Sequence, residues 1–477
     1  MKSIREFNLI TSVFVLLVFG AGAQTLDDAE EMEFFAIEET SSDESFFAIK
    51  ESENTELRDK TRSKPGKSYS IFGSIKQDFT YGFSEPGPVF NRNKAGIENI
   101  YSEFFLQAKS RLTDSSKVKF SGYVGYDWGN WRGGSYSLGD TEANFELDDL
   151  FLDLSLDSGV WLRVGNQIVA RGQVESAKIT DLVNPVDLSA PGQVELKDIR
   201  MQVPALLIST PVGDSAVELI VTSDAGLDKL GSDTPGSAFD FSIIDSQIIA
   251  LLPEGVTVVS MDKSPDKNWE VVGRLNYKIN GGDVSLTAGE VNWNQSSLHA
   301  VTDSTPLQLV FGQDRVRVLG IGGNFVRSDY LFKYESALRD GNKFQTLDPF
   351  VPWVEHKEIA TAVGFDYSGL SETVLSAEFN STTILNYSDT LARDESESGY
   401  LLQARWTGYN NLLSLYGAYN KFTGDDSSTA TIFIEYDLTD NIQLDGRFII
   451  YDGKSENDLL YSFRDQDVVK ASVKYSF

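Results

Sequence analysis

The chain has no cysteine, only two histidines and only four methionines among 477 residues. Without cysteine there is no disulfide, no thiolate nucleophile and no Cys-bound metal, which suits a protein that crosses an oxidising compartment without mispairing. Both histidines, His299 and His356, fall in stretches that read as loops. Ser296 and Ser297 stand close to His299 but lack an orienting acid, and no metal-ligand cluster or phosphate-binding glycine loop appears. The expectation is a chain that is not an enzyme and has no resident cofactor or metal centre. Positive charge is also scarce. Lys and Arg total 41 against 71 Asp and Glu, a formal net charge of −30, which argues against nucleic acid as a partner.

Long apolar runs are missing as well. After Phe19 no stretch approaches the roughly 18 uninterrupted apolar residues of a spanning helix. The run before it, Leu9 to Phe19, follows Lys2 and Arg5 and precedes Ala21-Gly22-Ala23, so residues 1–23 read as a signal peptide. Residues 24–68 are polar and charged, and are expected to be a disordered periplasmic segment. Within it, Phe34-Phe35-Ala36-Ile37 recurs as Phe46-Phe47-Ala48-Ile49. The duplication reads either as a linker or as two docking motifs over 34–51 for a periplasmic partner.

What is present is alternation. There are 39 Gly, 30 Phe, 19 Tyr and 7 Trp, a composition of strands, tight turns and aromatic belts. From Tyr69 onward apolar and polar residues alternate, as at Val118, Phe120 and Val124 against Lys117, Lys119 and Ser121. The last segment places Val469, Ala471, Val473, Tyr475 and Phe477 on one face and Lys470, Ser472 and Lys474 on the other. Closing on Tyr475 and Phe477, it looks like the signal read by the assembly machinery of bacterial outer-membrane barrels.

Segments of about 9–13 residues fit a tilted crossing of a bilayer better than a soluble sandwich, whose strands average about 5–6. Trp128, Tyr367, Trp406, Tyr409, Tyr419 and Tyr475 sit toward segment ends, where interfacial girdles belong. Eight short turns are predicted, near Thr113–Ser116, Leu156–Gly159, Pro211–Ser215, Lys278–Gly282, Arg327–Asp329, Ser368–Glu372, Gly408–Asn411 and Leu438–Asn441. With a first strand from Tyr69 and a last to Phe477 they give an all-β, antiparallel transmembrane barrel of about 18 strands over 69–477, with 16 as the alternative. Asp224–Lys267 and Ser297–Asp314 resist assignment.

If the apolar faces meet lipid, the polar faces line a lumen. The inward charges are then Lys109, Arg111, Asp149, Asp153, Glu270, Arg274, Arg405, Glu435 and Arg447, with Lys76, Asp78, Glu103, Glu378 and Asp445. They read as cross-strand pairs or as a transverse field at a constriction. The acidic loops, such as Asp394-Glu395-Ser396-Glu397 and Asp425-Asp426, read as solvated surface, with Ca2+ bridging as the sharper alternative.

Residues 170–203 are unusual for a loop. Pro185 and Pro191 restrict the backbone, and Asn184 and Asp187 can cap local turns. Such a segment is either an ordered outer cap or an infolded constriction whose Arg171, Glu175, Asp187, Glu195 and Lys197 filter the pore, with Arg163 and Gln167 bonding its base. Here the sequence resembles a family. Arg163, Gly165, Gln167, Asn184-Pro185-Val186-Asp187, Pro191-Gly192, Glu195-Leu196-Lys197-Asp198 and Pro204 are similar to a set of proteobacterial outer-membrane proteins filed as a domain of unknown function (1302), related in architecture to porins and alginate exporters. The family has an aromatic residue, typically Trp, near Arg171, where this chain has Arg. The resemblance implies a channel or transporter in the outer membrane and names no substrate.

Two functions are carried forward. One is a porin-like channel for passive or partner-coupled passage of small solutes. The other is a binding or structural barrel, acting by loop-mediated adhesion or as the outer-membrane partner of a periplasmic exporter.

Overall fold

The computed structural model describes residues 69–83, 96–132, 135–188, 199–223, 226–230, 256–257, 267–302, 307–347, 351, 353–423, 427–455, 460, 464 and 467–477. The expected signal peptide, the segment 24–68 with its repeat, Glu195, Lys197 and Asp425-Asp426 lie outside the described residues.

The chain is all-β, and eighteen strands form its wall. They are β1 (Tyr69–Gly82), β2 (Gly96–Thr113), β3 (Ser116–Arg132), β4 (Ser135–Ser155), β5 (Trp161–Gln167) and β6 (Val203–Val212). Next come β7 (Ser215–Thr222), β8 (Glu270–Ile279), β9 (Gly282–Thr302), β10 (Leu307–Arg327), β11 (Tyr330–Gln345) and β12 (Trp353–Leu370). The ring is completed by β13 (Thr373–Ile384), β14 (Ser396–Gly408), β15 (Leu413–Phe422), β16 (Ser428–Thr439), β17 (Ile442–Asp452) and β18 (Val468–Ser476). Each pairs antiparallel with its neighbours in sequence. β18 returns to β1 in a register running from Ser74↔Ser476 to Gly82↔Val468, so the sheet has no free edge. Closure is what lets a sheet cross hydrocarbon with every ladder bond made.

All eight expected turns join strands at the expected places. Six have two residues between strands, and Ser328 and Glu372 take a positive φ of 55° to make theirs. Along the other end run the longer connections, including 168–202, 223–269, 385–395 and 453–467. This asymmetry is that of outer-membrane barrels, with short turns on the periplasmic side.

The two unassigned stretches resolve differently. Ser297–Thr302 and Leu307–Asp314 continue β9 and β10 as one long hairpin. Register shifts at Asn292/Ser296 and Leu298/Ala300 break its alternation, which is why no strand was legible there. His299 therefore lies on β9 and His356 on β12, a correction to their reading as loop residues. Phe241-Ser242-Ile243-Ile244 lies outside the described residues.

The outer face carries the apolar residues. Ile75, Phe79, Leu286, Leu319, Val363 and Ile432 are all exposed on it. Aromatics gather near the short turns, where Tyr330 and Tyr367 pack with ring centroids 4.7 Å apart. At the other edge Trp128 is exposed and donates Nε1–H to Ser102 Oγ at 2.7 Å.

Candidate functional site

Inward residues are buried and alternate along each strand with the exposed lipid face. On β7, for example, Glu218, Ile220 and Thr222 are buried while Val217 and Leu219 are exposed. Over β6 to β12 the inner face is unusually apolar for a lumen. Val203, Ala205, Leu207, Ile220, Val272, Val291, Val316, Val318, Ala337, Ala360 and Ala362 are buried there. What buries them is the connection after β5. Its Val169, Val174, Ile179, Leu182 and Val183 pack into the same cluster. Each such side chain contributes roughly 1.5–3 kcal/mol when removed from water. The approach is close: a Cβ added at Gly320 on β10 would lie 2.9 Å from Thr180 Cγ2.

Two carboxylates then fix the backbone of this segment. Glu335 on β11 accepts hydrogen bonds from the amides of Gln173, Val174 (3.1 Å) and Thr180 (2.9 Å), and from Thr180 Oγ1 at 2.8 Å. Glu378 on β13 accepts from the amides of Glu175 at 2.8 Å and Ser176 at 2.7 Å through Oε2, while Oε1 meets Lys333 Nζ at 2.7 Å. Five backbone amides that a loop would otherwise give to water are thereby satisfied out of bulk solvent. Three further inward side chains bond the segment. Arg274 Nη1 donates to the Arg171 carbonyl, Arg339 Nη2 to the Lys178 carbonyl, and Asn324 Nδ2 to Gln173 Oε1.

The expected constriction residues distribute as follows. Arg171 pairs with Glu218 at 2.9 Å. Glu175 reaches β14, accepting from Gln403 at 3.0 Å. Asp187 pairs with Lys229 at 2.9 Å beside a two-residue parallel ladder of Asp187–Leu188 with Lys229–Leu230. Gln167 is buried and donates to the Ala205 carbonyl at 2.9 Å, within the wall. Arg163 grips Asp153 in a two-pronged pair at 2.7 and 3.2 Å and lies over the Phe151 ring at 4.0 Å. The base of the segment is tied by a residue singled out only as a turn cap. Asn184, fully buried, accepts from the Val169 amide at 2.7 Å and donates to the Met201 carbonyl at 2.8 Å. Nearby, Asp228 accepts from the Val186 amide at 2.8 Å. Burial pushes the Asp228 carboxyl above its ordinary range, opposed by the charge of Lys178 and by that amide.

The remaining expected lumen charges lie on inward faces. Lys109 stands opposite Lys119, and Arg111 opposite Lys117, with Asp149 taking Lys119 at 2.9 Å. Glu270 faces Thr222 and is buried. Glu435 faces Asp445, Arg405 lies over Tyr416 at 5.8 Å, and Arg447 lies over Phe433 at 4.7 Å. Glu335 and Asn324 were absent from the sequence reading, since nothing local marks a carboxylate or amide as partner to a segment more than 150 residues away. Glu397, read as a possible cation ligand, accepts from Arg393.

A family model described as a protein of unknown function (DUF1302) matches residues 107–477. No curated protein matches the sequence. Among solved structures the chain is similar to a BenF-like porin from Pseudomonas fluorescens Pf-5, with a TM-score of 0.50 and 9% identity, covering 86% of this chain and 98% of that one. Acinetobacter baumannii OccAB4 has a TM-score of 0.49 at 9% identity, and Pseudomonas aeruginosa OccK7 (OpdD) 0.48 at 10%. Each of these two covers 86% of this chain and 98% of its own.

Proposed function

For a chain that belongs to the family described as a protein of unknown function (DUF1302) and folds as an outer-membrane β-barrel, we propose a porin-like channel for small polar solutes, narrowed by the segment after β5. The observation that carries this reading is the clamping of that segment's backbone by Glu335 and Glu378, two side chains of the inner wall. A segment held there occupies the lumen and leaves the wall of β2 to β5, with Lys109, Lys119, Asp149, Asp153 and Arg163, to face the passage. Polar solutes crossing beside a wall of mixed charge lose little of their hydration energy. An 18-strand ring is wide enough for water and solute beside such a segment.

Single-channel recording in planar bilayers tests the reading. The intact barrel should conduct, and shortening 170–188 should raise conductance. A barrel that stays closed in both forms would overturn the channel and leave a binding or structural barrel. Unchanged conductance after shortening would overturn the constriction alone.

A further inference from the structure

We propose that the outer face of β9 to β12 seats the phosphate of an anionic lipid of the outer leaflet, with Arg317 at its centre. The proposal rests on the barrel's orientation in the membrane and not on what passes through it.

The lipid face of these strands is apolar from the short turns upward and then ends in charge at one level. On β10, Leu319 and Ile321 are exposed and Arg317 and Arg315 follow. On β12, Val363 and Ile359 are exposed and Lys357 follows. Register aligns the charges: Arg317 stands opposite Glu290 on β9 and opposite Asp340 on β11. From the girdle residue Tyr330 to Asp340 is ten residues along β11. At about 3.3 Å per residue and a tilt near 40° that is about 25 Å, the height of the apolar band. The charges therefore sit where acyl chains give way to headgroups.

They also form an ordered row. Lys267 Nζ lies 3.3 Å from Glu290, Arg315 Nε lies 3.0 Å from the same carboxylate, and Lys357 Nζ lies 3.4 Å from Asp340. Trp269 underlies two of the cations, 5.3 Å from Lys267 and 5.2 Å from Arg315. Four cations against two carboxylates leave the row positive, on a chain whose net charge is −30. Arg317, exposed between Glu290 and Asp340, makes no hydrogen bond or ion pair with the described residues. The two carboxylates thus hold Lys267, Arg315 and Lys357 in place around a guanidinium left to bind outward. A guanidinium takes a phosphate through two parallel N–H bonds, and neighbouring cations add to it where the dielectric falls.

The test uses the full-length barrel in phosphatidylcholine vesicles carrying about one-tenth of a bis-phosphorylated glucosamine lipid or its dephosphorylated form. After mild detergent extraction, native mass spectrometry counts the lipid retained per barrel. Wild type should retain the phosphorylated form over the dephosphorylated form by about tenfold or more, and Arg317→Ala with Lys357→Ala should abolish that preference. Heat-modifiable migration checks that the variant is folded, and Arg317→Lys, which keeps the charge without the two-pronged geometry, serves if it is not. Equal retention of both lipids by wild type would overturn the proposal, as would an unchanged preference in folded variants. Displacement by millimolar inorganic phosphate would also overturn it, marking a site for soluble anions.

Discussion

The distal end of the Phe477 ring lies over Gly73. The two residues exchange both backbone bonds, Phe477 N–H to the Gly73 carbonyl at 2.9 Å and Gly73 N–H to the Phe477 carbonyl at 3.1 Å. A Cβ at Gly73 would meet the ring at 2.6 Å, so a larger residue there must turn the ring aside. Phe104 and Tyr475 border the ring at 6.3 and 6.2 Å.

Gly73→Val should displace that ring and weaken the β18–β1 seam, and deletion of Phe477 should remove both terminal bonds as well. The expected outcome is a smaller heat-modifiable fraction on gels, with the deletion more severe than the substitution. Wild-type amounts of folded barrel from both would remove Phe477 from the assembly step.

Glu335→Ala should free the segment after β5. It strips partners from three amides and a hydroxyl, each worth about 1–3 kcal/mol when left unsatisfied out of water. Proteolysis between 170 and 188 should accelerate, and conductance should rise. Glu335→Gln, which keeps an acceptor oxygen, should fall between wild type and Ala.

Arg171→Glu together with Lys197→Glu should move ion selectivity toward cations, read as a shifted reversal potential in a salt gradient. Arg171→Glu also sets two carboxylates together at Glu218, a buried like-charge contact that should loosen the segment. Arg171→Gln separates the effects, since it removes the charge without adding repulsion.

Asp228 gives a pH dependence with a definite sign. Its folded carboxyl holds a proton to higher pH than the ordinary 3.8, so the folded state binds more protons across that window. Docking of the segment should therefore weaken as pH rises through it, and Asp228→Asn should flatten the dependence. Protease sensitivity of 168–188 between about pH 4 and pH 7 reads this.

Strand number and turn positions were legible because each turn breaks a period-two pattern that the bilayer imposes on both sides of it. The pattern fades where that constraint stops. Beyond the bilayer, β9 and β10 carry bulges and mixed faces, and His299 was lost among them. The inner wall was misjudged for a related reason. A lumen was expected to be polar, yet Ala205-Leu206-Leu207-Ile208 is apolar on both faces, one toward lipid and one toward the packed segment. A continuous apolar run marks a strand covered on both sides, and that signal marks the packing of the segment after β5 more directly than its prolines do.

That two-sided covering bears on what kind of passage this can be. A valve must leave its seat and return. Lifting this segment would expose Val169, Val174, Ile179, Leu182 and Val183, with Leu207 and Ile220 beneath them, at a cost on the order of 10 kcal/mol. An opening so rare contributes nothing to traffic, so under the proposed reading the bore is set when the chain folds, and the protein sorts solutes as a sieve of fixed mesh.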